Sequence, residues 1–527
     1  MAAISARGPS ILNSAAKCGN LRFRFQWIER FSKPVSFGFC KSVRCSSTSS
    51  HEKLQFSYCH AISSKRFIGE TIGQRLDMTV EKFPDREAYV CSEDNERATF
   101  AEFQGEVNSL AAGLLAMGFK KGDRVGMWGP NMREWVITQF ATAKAGLILV
   151  NINPAYQTPE LEYALKKVGC KAIIMADRFK TQDYYSMLTH IVHELPQSKP
   201  GDLFNERVPD LKLVVMASKD HQRTFSGTMS FQELMEIGGT EERKKLEELK
   251  NELQCDDPIN IQFTSGTTGN PKGATLSHHN ILNNAYYVGE ILDYENQVLL
   301  QNMYSCSTLP LFWDGAWKIC YGLTETSPVT TQTLMDDPID LRVSTIGHVH
   351  PNNEAKIVDS DDRVVPVNTA GEICFRGYNV MLGYWDDKEK TDACIDPSGW
   401  FHSGDLATMD ENGFIKIIGR IKDLIIRGGE NIYPTEVEQF LYTHPKIQDV
   451  QVIGVPDPRL GEEVCAWIKL HAGETATPEE IKEFCKGEIS HFKIPRYIKF
   501  IDEFPLTVTG KVKKFVMREK TKEELNL

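Results

Sequence analysis

The chain has 527 residues, 41% of them hydrophobic and 25% charged, and a formal net charge of -11. This is ordinary globular usage and excludes a mostly disordered chain, a collagen-like repeat and a polytopic membrane protein. The acidic balance also argues against a broad nucleic-acid-binding surface.

Charge is unevenly placed along the chain. Residues 1–50 contain Arg7, Lys17, Arg22, Arg24, Arg30, Lys33, Lys41 and Arg44 against a single acid, Glu29. A basic, serine-containing, acid-poor leader on an acidic body predicts an organelle transit peptide over 1–50, mitochondrial and directed to the matrix, with a plastid leader as the competing reading. Ser46-Ser47-Thr48-Ser49-Ser50 reads as a linker near a cleavage region. The 13 cysteines form no C-x-x-C pair and no zinc-spaced cluster, which predicts free thiols in a reducing compartment.

From about residue 70, helix-like and strand-like segments alternate. Leu110, Leu114 and Leu115 mark a helix face, and Lys121-Gly122-Asp123 turns into a strand at Arg124–Trp128. Trp135 to Ile152 is the most apolar stretch, but Gln139 and Lys144 interrupt it. It reads as a buried helix followed by a strand rather than a membrane span. Leu161 and Leu165 begin another helix, and Ala172–Met175 and Leu211–Met216 read as buried strands. This alternation predicts an α/β domain with a largely parallel sheet. Residues 241–253 read as a solvated helix. After residue 340 strands and Gly/Asp/Asn turns predict a β-rich subdomain, including Gly371–Arg376 and Phe414–Ile418. A boundary falls near Gly419–Asp423. Beyond it, Pro434 opens a helix with Val437, Phe440 and Leu441 on one face. Strands at Val450–Val455 and Glu463–Leu470 and a helix from Pro478 complete a small α+β domain.

Five tracts stand out chemically. Thr264-Ser265-Gly266-Thr267-Thr268-Gly269-Asn270-Pro271-Lys272-Gly273 follows an apolar strand. Its glycines let backbone N–H groups approach a ligand, and its hydroxyls and lysine suit a polyphosphate. It is not a Walker A loop, because Pro271 stands where that motif needs glycine. Alone, it also fits a flexible Ser/Thr/Gly loop. Tyr321-Gly322-Leu323-Thr324-Glu325 is the second tract. The third is Trp400-Phe401-His402-Ser403-Gly404-Asp405, where a turn aspartate can accept both hydroxyls of a ribose. Gly419-Arg420-Ile421-Lys422-Asp423 with Ile426-Arg427-Gly428-Gly429-Glu430 is the fourth. Pro505-Leu506-Thr507-Val508-Thr509-Gly510-Lys511 is the fifth, and alone it reads as an exposed hairpin.

These five tracts, in this order, resemble the adenylate-forming enzymes from about residue 70 to the end. Ile426-Arg427-Gly428-Gly429-Glu430-Asn431-Ile432-Tyr433-Pro434 and Met381-Leu382-Gly383-Tyr384-Trp385 look like those of a medium-chain fatty acyl-CoA synthetase. The resemblance implies a large multi-subdomain α/β domain over 51–419, a hinge at 420–423 and a mobile α+β domain over 424–527. It implies an AMP-forming fatty acid–CoA ligase that uses ATP, Mg²⁺ and coenzyme A. In that reading Thr264, Ser265, Gly266, Thr267, Thr268, Gly269 and Lys272 hold the β- and γ-phosphates, and Thr324 meets the α-phosphate. Glu325 binds Mg²⁺, Asp405 and Arg420 hold the ribose, and Lys511 is the adenylation lysine. Lys422 is the hinge residue, and Arg427, Gly428 and Gly429 face coenzyme A.

One departure is large. After Leu309-Pro310-Leu311-Phe312 the family continues with a histidine, a glycine-containing helix and the elements lining the acyl pocket. Here Trp313-Asp314-Gly315-Ala316-Trp317-Lys318-Ile319-Cys320 leads at once into Tyr321. The missing piece is on the order of ninety residues, the size of a small domain. The gating histidine is replaced by Trp313, and the glycine-rich turn beside adenine has no counterpart. Ser403 stands where the family usually has threonine. A truncated product that is inactive or only binds nucleotide is therefore the alternative to an active ligase.

Overall fold

The computed structural model describes residues 53–91, 96–218, 223–264, 271–292, 310–313, 316–334, 336–507 and 510–525. The leader expected over 1–50 and the phosphate-loop residues Ser265, Gly266, Thr267, Thr268 and Gly269 lie outside them.

Short continuous apolar runs build the central sheet. Its eight strands run in the order 229–230, Leu213–Ala217, Ala172–Ala176, Arg124–Trp128, Ile148–Ile152, Pro258–Thr264, Lys272–Ser277 and Gly383–Tyr384. The first six are parallel, and Lys272–Ser277 pairs antiparallel with both its neighbours. Val125, Met127, Leu149 and Ile174 face one layer, while Trp128, Ile148, Val150 and Ile173 face the other. A parallel sheet covered on both faces reads as near-continuous apolar runs, as in Ala172–Ala176 and Leu213–Ala217, where every residue is buried. Trp128 stacks on Tyr184 at 3.6 Å and 11° within the second layer.

Helices cover this sheet. Phe100–Ala116 starts at a Thr99–Glu102 capping box and buries Leu110, Leu114 and Leu115. The apolar stretch after Trp135 resolves into a helix at Arg133–Lys144 and the strand Ile148–Ile152, as expected. The charged helix Thr240–Glu252 is less solvated than its sequence implies. Leu246 and Leu249, one helical turn apart, are buried against the first layer.

Two antiparallel sheets follow. The strands Pro310–Trp313, Ala316–Gly322, Val329–Gln332 and His348–Val349 form one. Tyr58–His60, Asn353–Val358, Gly371–Gly377, Phe401–Met409 and Ile415–Arg420 form the other, cored by Ile357, Phe375, Ala407 and Ile415. A last sheet uses Ile425–Arg427, Glu430–Ile432, Ile447–Asp457, Gly461–Leu470 and Tyr497–Phe500. Helices Pro434–Leu441 and Pro478–Cys485 bury Val437, Leu441, Ile481 and Cys485 on one side of it. Helix Lys514–Leu525 buries Met517 on the other. The expected α/β class with a small α+β unit at the C-terminal end is observed. Among the described residues no helix is long and apolar enough to cross a membrane, and the described cysteines are free thiols.

Candidate active site

The site gathers where the ends of several strands meet. Thr264 closes one central strand and pairs in register with Lys272 at the start of the next. The Thr264 hydroxyl faces the Lys272 carbonyl at 3.5 Å. These two residues therefore hold the two ends of the glycine-rich loop next to each other. The Lys272 ammonium lies 4.8 Å from the centre of the Tyr384 ring.

Thr324 and Glu325 occupy a short 3-10 turn after the strand Ala316–Gly322. Tyr384 donates its hydroxyl to Glu325 Oε1 at 2.8 Å, and the Met381 N–H donates to the Glu325 carbonyl at 2.9 Å. Burial, then the charge of Glu325, raises the Tyr384 phenol far above its ordinary value, so it stays a donor. Glu325 belongs to no cluster of three metal-ligating side chains among the described residues. That donor set fits Mg²⁺, which takes one or two carboxylates and completes its shell with substrate phosphates and water.

Asp405 differs from its sequence expectation. It lies within the strand Phe401–Met409 rather than on a turn, directly across from Arg420. Gly404, at φ +72, supplies a turn-like kink inside that strand. Asp405 is 4% exposed. Its Oδ1 meets Arg420 Nε at 2.9 Å, and its Oδ2 accepts from the Tyr321 hydroxyl at 2.5 Å. Burial and the neighbouring Asp405 charge hold the Tyr321 phenol well above its usual range. Ser403 serves as a threonine would. Its hydroxyl donates to the Ile373 carbonyl at 2.6 Å and accepts the Asp405 N–H at 3.0 Å. Glu372 completes the brace, accepting the Gly404 N–H at 2.8 Å and lying 3.0 Å from His402 Nδ1.

Lys511 follows Gly510 in a turn closed by a bond from the Thr507 N–H to the Lys511 carbonyl at 2.7 Å. The residue as a whole is exposed, yet its ammonium is partly withdrawn from water. That withdrawal lowers its pKa, and so does the nearby Arg420 charge, while Asp405 and Glu325 pull it back up. The charges of Arg420, Asp405 and Glu325 thus act on Lys511. Lys422 is lowered by burial first, then by Arg420. The 3-10 turn that carries Lys422, Ile421–Asp423, is held by Arg518 of the C-terminal helix. Arg518 donates to the Lys422 carbonyl at 3.3 Å and to Asp423 Oδ1 at 3.1 Å.

The Arg427-Gly428-Gly429 tract divides. Gly428 and Gly429 form an exposed turn with φ +59 and +88. Arg427 instead gives both arms to Glu463, at 2.7 and 3.0 Å. Glu463 is 1% exposed and also meets Arg496 at 3.2 Å. A buried carboxylate needs such partners to remain charged, so the Arg427 guanidinium braces the C-terminal sheet in this structure. Tyr321, Glu372 and Tyr384 are site residues to which no local pattern points. Tyr321 and Tyr384 sit inside quoted tracts, but their partners lie 84 and 59 residues away.

The sequence matches the AMP-binding enzyme family over residues 76–320 and 316–385, and the AMP-binding enzyme C-terminal domain over 436–511. The two segments of the first match overlap at residues 316–320. The chain is 43% identical to medium-chain acyl-CoA ligase ACSF2, mitochondrial, of Danio rerio, over 90% of this chain and 92% of that protein. It is 42% identical to the Homo sapiens protein of the same name, over 89% and 91%. The Danio rerio alignment spans 564 positions, so about 90 of them face a gap in this chain. ATP-bound MatB from Rhodopseudomonas palustris shares the fold with a TM-score of 0.71 and 24% identity, over 86% of this chain and 99% of that one. The anthranilate CoA ligase AuaEII in complex with anthranoyl-AMP does so at 0.70 and 21%, over 87% and 98%. The chain belongs to the AMP-binding enzyme family and, within it, to the acyl-CoA ligases.

Proposed function

We propose that this chain joins a medium-chain fatty acid to coenzyme A at the expense of ATP, in the mitochondrial matrix, through an acyl-adenylate. The observation that carries this reading is the buried Asp405 carboxylate, which meets Arg420 at 2.9 Å and the Tyr321 hydroxyl at 2.5 Å and so joins three of the separate tracts. The fatty acid carboxylate is ionised at neutral pH, so it attacks the α-phosphorus without a general base. A carboxylate oxygen–phosphorus bond forms, the bond to the bridging oxygen breaks, and pyrophosphate leaves with that electron pair. The thiolate of coenzyme A then attacks the acyl carbonyl, and AMP leaves.

The residues have corresponding roles. Asp405, fixed by Arg420 and Tyr321, accepts the ribose hydroxyls with its remaining lone pairs. Thr264, Ser265, Gly266, Thr267, Thr268, Gly269 and Lys272 surround the β- and γ-phosphates, and Thr324 meets the α-phosphate. Mg²⁺, held by Glu325, supplies positive charge to the polyphosphate when bound. Lys511 stabilises the charge that develops on the α-phosphoryl group in the transition state. Residues 51–419 act as the large domain and 424–527 as the moving one, with the hinge at 420–423 centred on Lys422. Rotation there would withdraw Lys511 and present Arg427, Gly428 and Gly429 to coenzyme A. Residues 1–50 act as the transit peptide, in keeping with their basic charge and the mitochondrial names of the relatives.

Purified protein supplied with octanoate, ATP, Mg²⁺ and coenzyme A should release AMP and pyrophosphate. Lys511→Ala should lower that release by about a hundred-fold or more, while thioester formation from supplied octanoyl-AMP persists. Release no greater than in the variant would overturn the reading for this chain and favour the truncated, inactive alternative.

A further inference from the structure

We infer that Tyr384 is a positioning residue that couples the lysine of the phosphate loop to the metal-binding carboxylate. Three observations meet at this side chain. Its hydroxyl donates to Glu325 Oε1 at 2.8 Å. The face of its ring lies 4.8 Å from the Lys272 ammonium. Its backbone is fixed on both sides: the Tyr384 N–H donates to Thr391 Oγ1 at 2.9 Å, and the Trp385 N–H donates to the Gly273 carbonyl at 2.8 Å. Tyr384 also pairs across the strands with Ala274, two residues after Lys272. One rigid, 8% exposed aromatic therefore touches both charged groups that flank the polyphosphate.

The chemistry of each contact is distinct. The phenolic hydroxyl occupies one carboxylate oxygen of Glu325 and so constrains the carboxylate that is to meet a cation. Partners of this kind, which orient a metal ligand, typically govern metal affinity by ten- to a hundred-fold. The ring face attracts the ammonium of Lys272 without neutralising it. Lys272 is thereby held close to Glu325 yet is not drawn into an ion pair that would remove both charges from the substrate. The inference rests on the reading of Glu325 as the magnesium ligand.

The test separates the two contacts and uses the full chain. Mn²⁺ retained by the complex with α,β-methylene-ATP is read by electron paramagnetic resonance of the free ion. Tyr384→Phe keeps the ring and removes the hydroxyl. It should weaken Mn²⁺ retention about ten-fold and leave metal-free nucleotide affinity and melting temperature near those of the parent. Tyr384→Leu should weaken metal-free nucleotide affinity as well, because Lys272 loses its platform. Tyr384→Phe with parental Mn²⁺ affinity, alongside a Glu325→Gln variant that loses it, overturns the positioning role alone. Parental Mn²⁺ affinity in Glu325→Gln overturns both that role and the metal assignment of Glu325.

Discussion

Asp405 illustrates how one side chain joins stability to binding. Its two oxygens are committed to Arg420 and Tyr321, and only 4% of the residue is exposed. Replacing it with asparagine keeps the shape but removes the charge that makes these bonds strong. Hydrogen bonds to a charged group contribute about 1.5–3 kcal/mol each. Asp405→Asn should therefore raise the KM for ATP by about ten- to a hundred-fold and lower the melting temperature. An unchanged ATP KM would show that the carboxylate does not carry the ribose. The tract containing Asp405 is evident in the sequence, but its setting is not. The sequence marks a turn aspartate, while the structure makes it a strand residue whose partners are 15 and 84 residues away. Arg427 has a partner its tract does not show, since both its arms meet Glu463, 36 residues away.

Element by element, local patterns give the secondary structure well and the packing less well. Capping residues and apolar spacing place the helices at Phe100–Ala116, Pro434–Leu441 and Pro478–Cys485. They do not say that Leu246 and Leu249 dock a highly charged helix on the core. The tract Tyr321–Glu325 carries a constraint of this packing kind. A Cβ built at Gly322 would lie 1.6 Å from the Pro328 carbonyl oxygen and 3.0 Å from the Val329 Cα. Both are backbone atoms of the chain leading into the neighbouring strand, so the clash cannot be relieved by a rotamer change. Gly322→Ala should destabilise the protein by about 1–3 kcal/mol, the usual penalty for overpacking. It should also raise the Mg²⁺ concentration needed for half-maximal adenylation, because Thr324 and Glu325 follow directly. A parental melting temperature and a parental Mg²⁺ requirement would show that the turn tolerates the displacement.

For the molecule as a whole, buried neutral histidines tie stability to pH. His278 is 1% exposed, its pKa is pushed down to about 4 by burial, and its Nδ1 accepts the Ile72 N–H at 3.2 Å. His350 is fully buried and pushed down to about 3 by burial. Each is neutral when folded but takes up a proton near pH 6.5 when unfolded. The unfolded chain thus binds more protons below that pH, and stability falls as pH drops. For His278 the loss should accumulate between about pH 6.5 and 4 and reach on the order of 3 kcal/mol. Melting curves across this range should show the decline, and His278→Asn, which can still accept the Ile72 N–H, should lessen it. A melting temperature constant from pH 7 to 4.5 would contradict the assignment.

The sequence by itself determined the class of fold and the order of the five motifs. Each of these is recorded in neighbouring residues: alternation for strands, three- and four-residue spacing for helices, and contiguous tracts for the loops. Only the tertiary structure decided which oxygens of Asp405 meet which donors, that Glu463 holds Arg427, and that Tyr384 stands between Lys272 and Glu325. Those choices depend on which strands lie side by side, and strand order follows from burying two faces of a sheet at once. That is a property of the packed chain, and no short stretch of it carries the information.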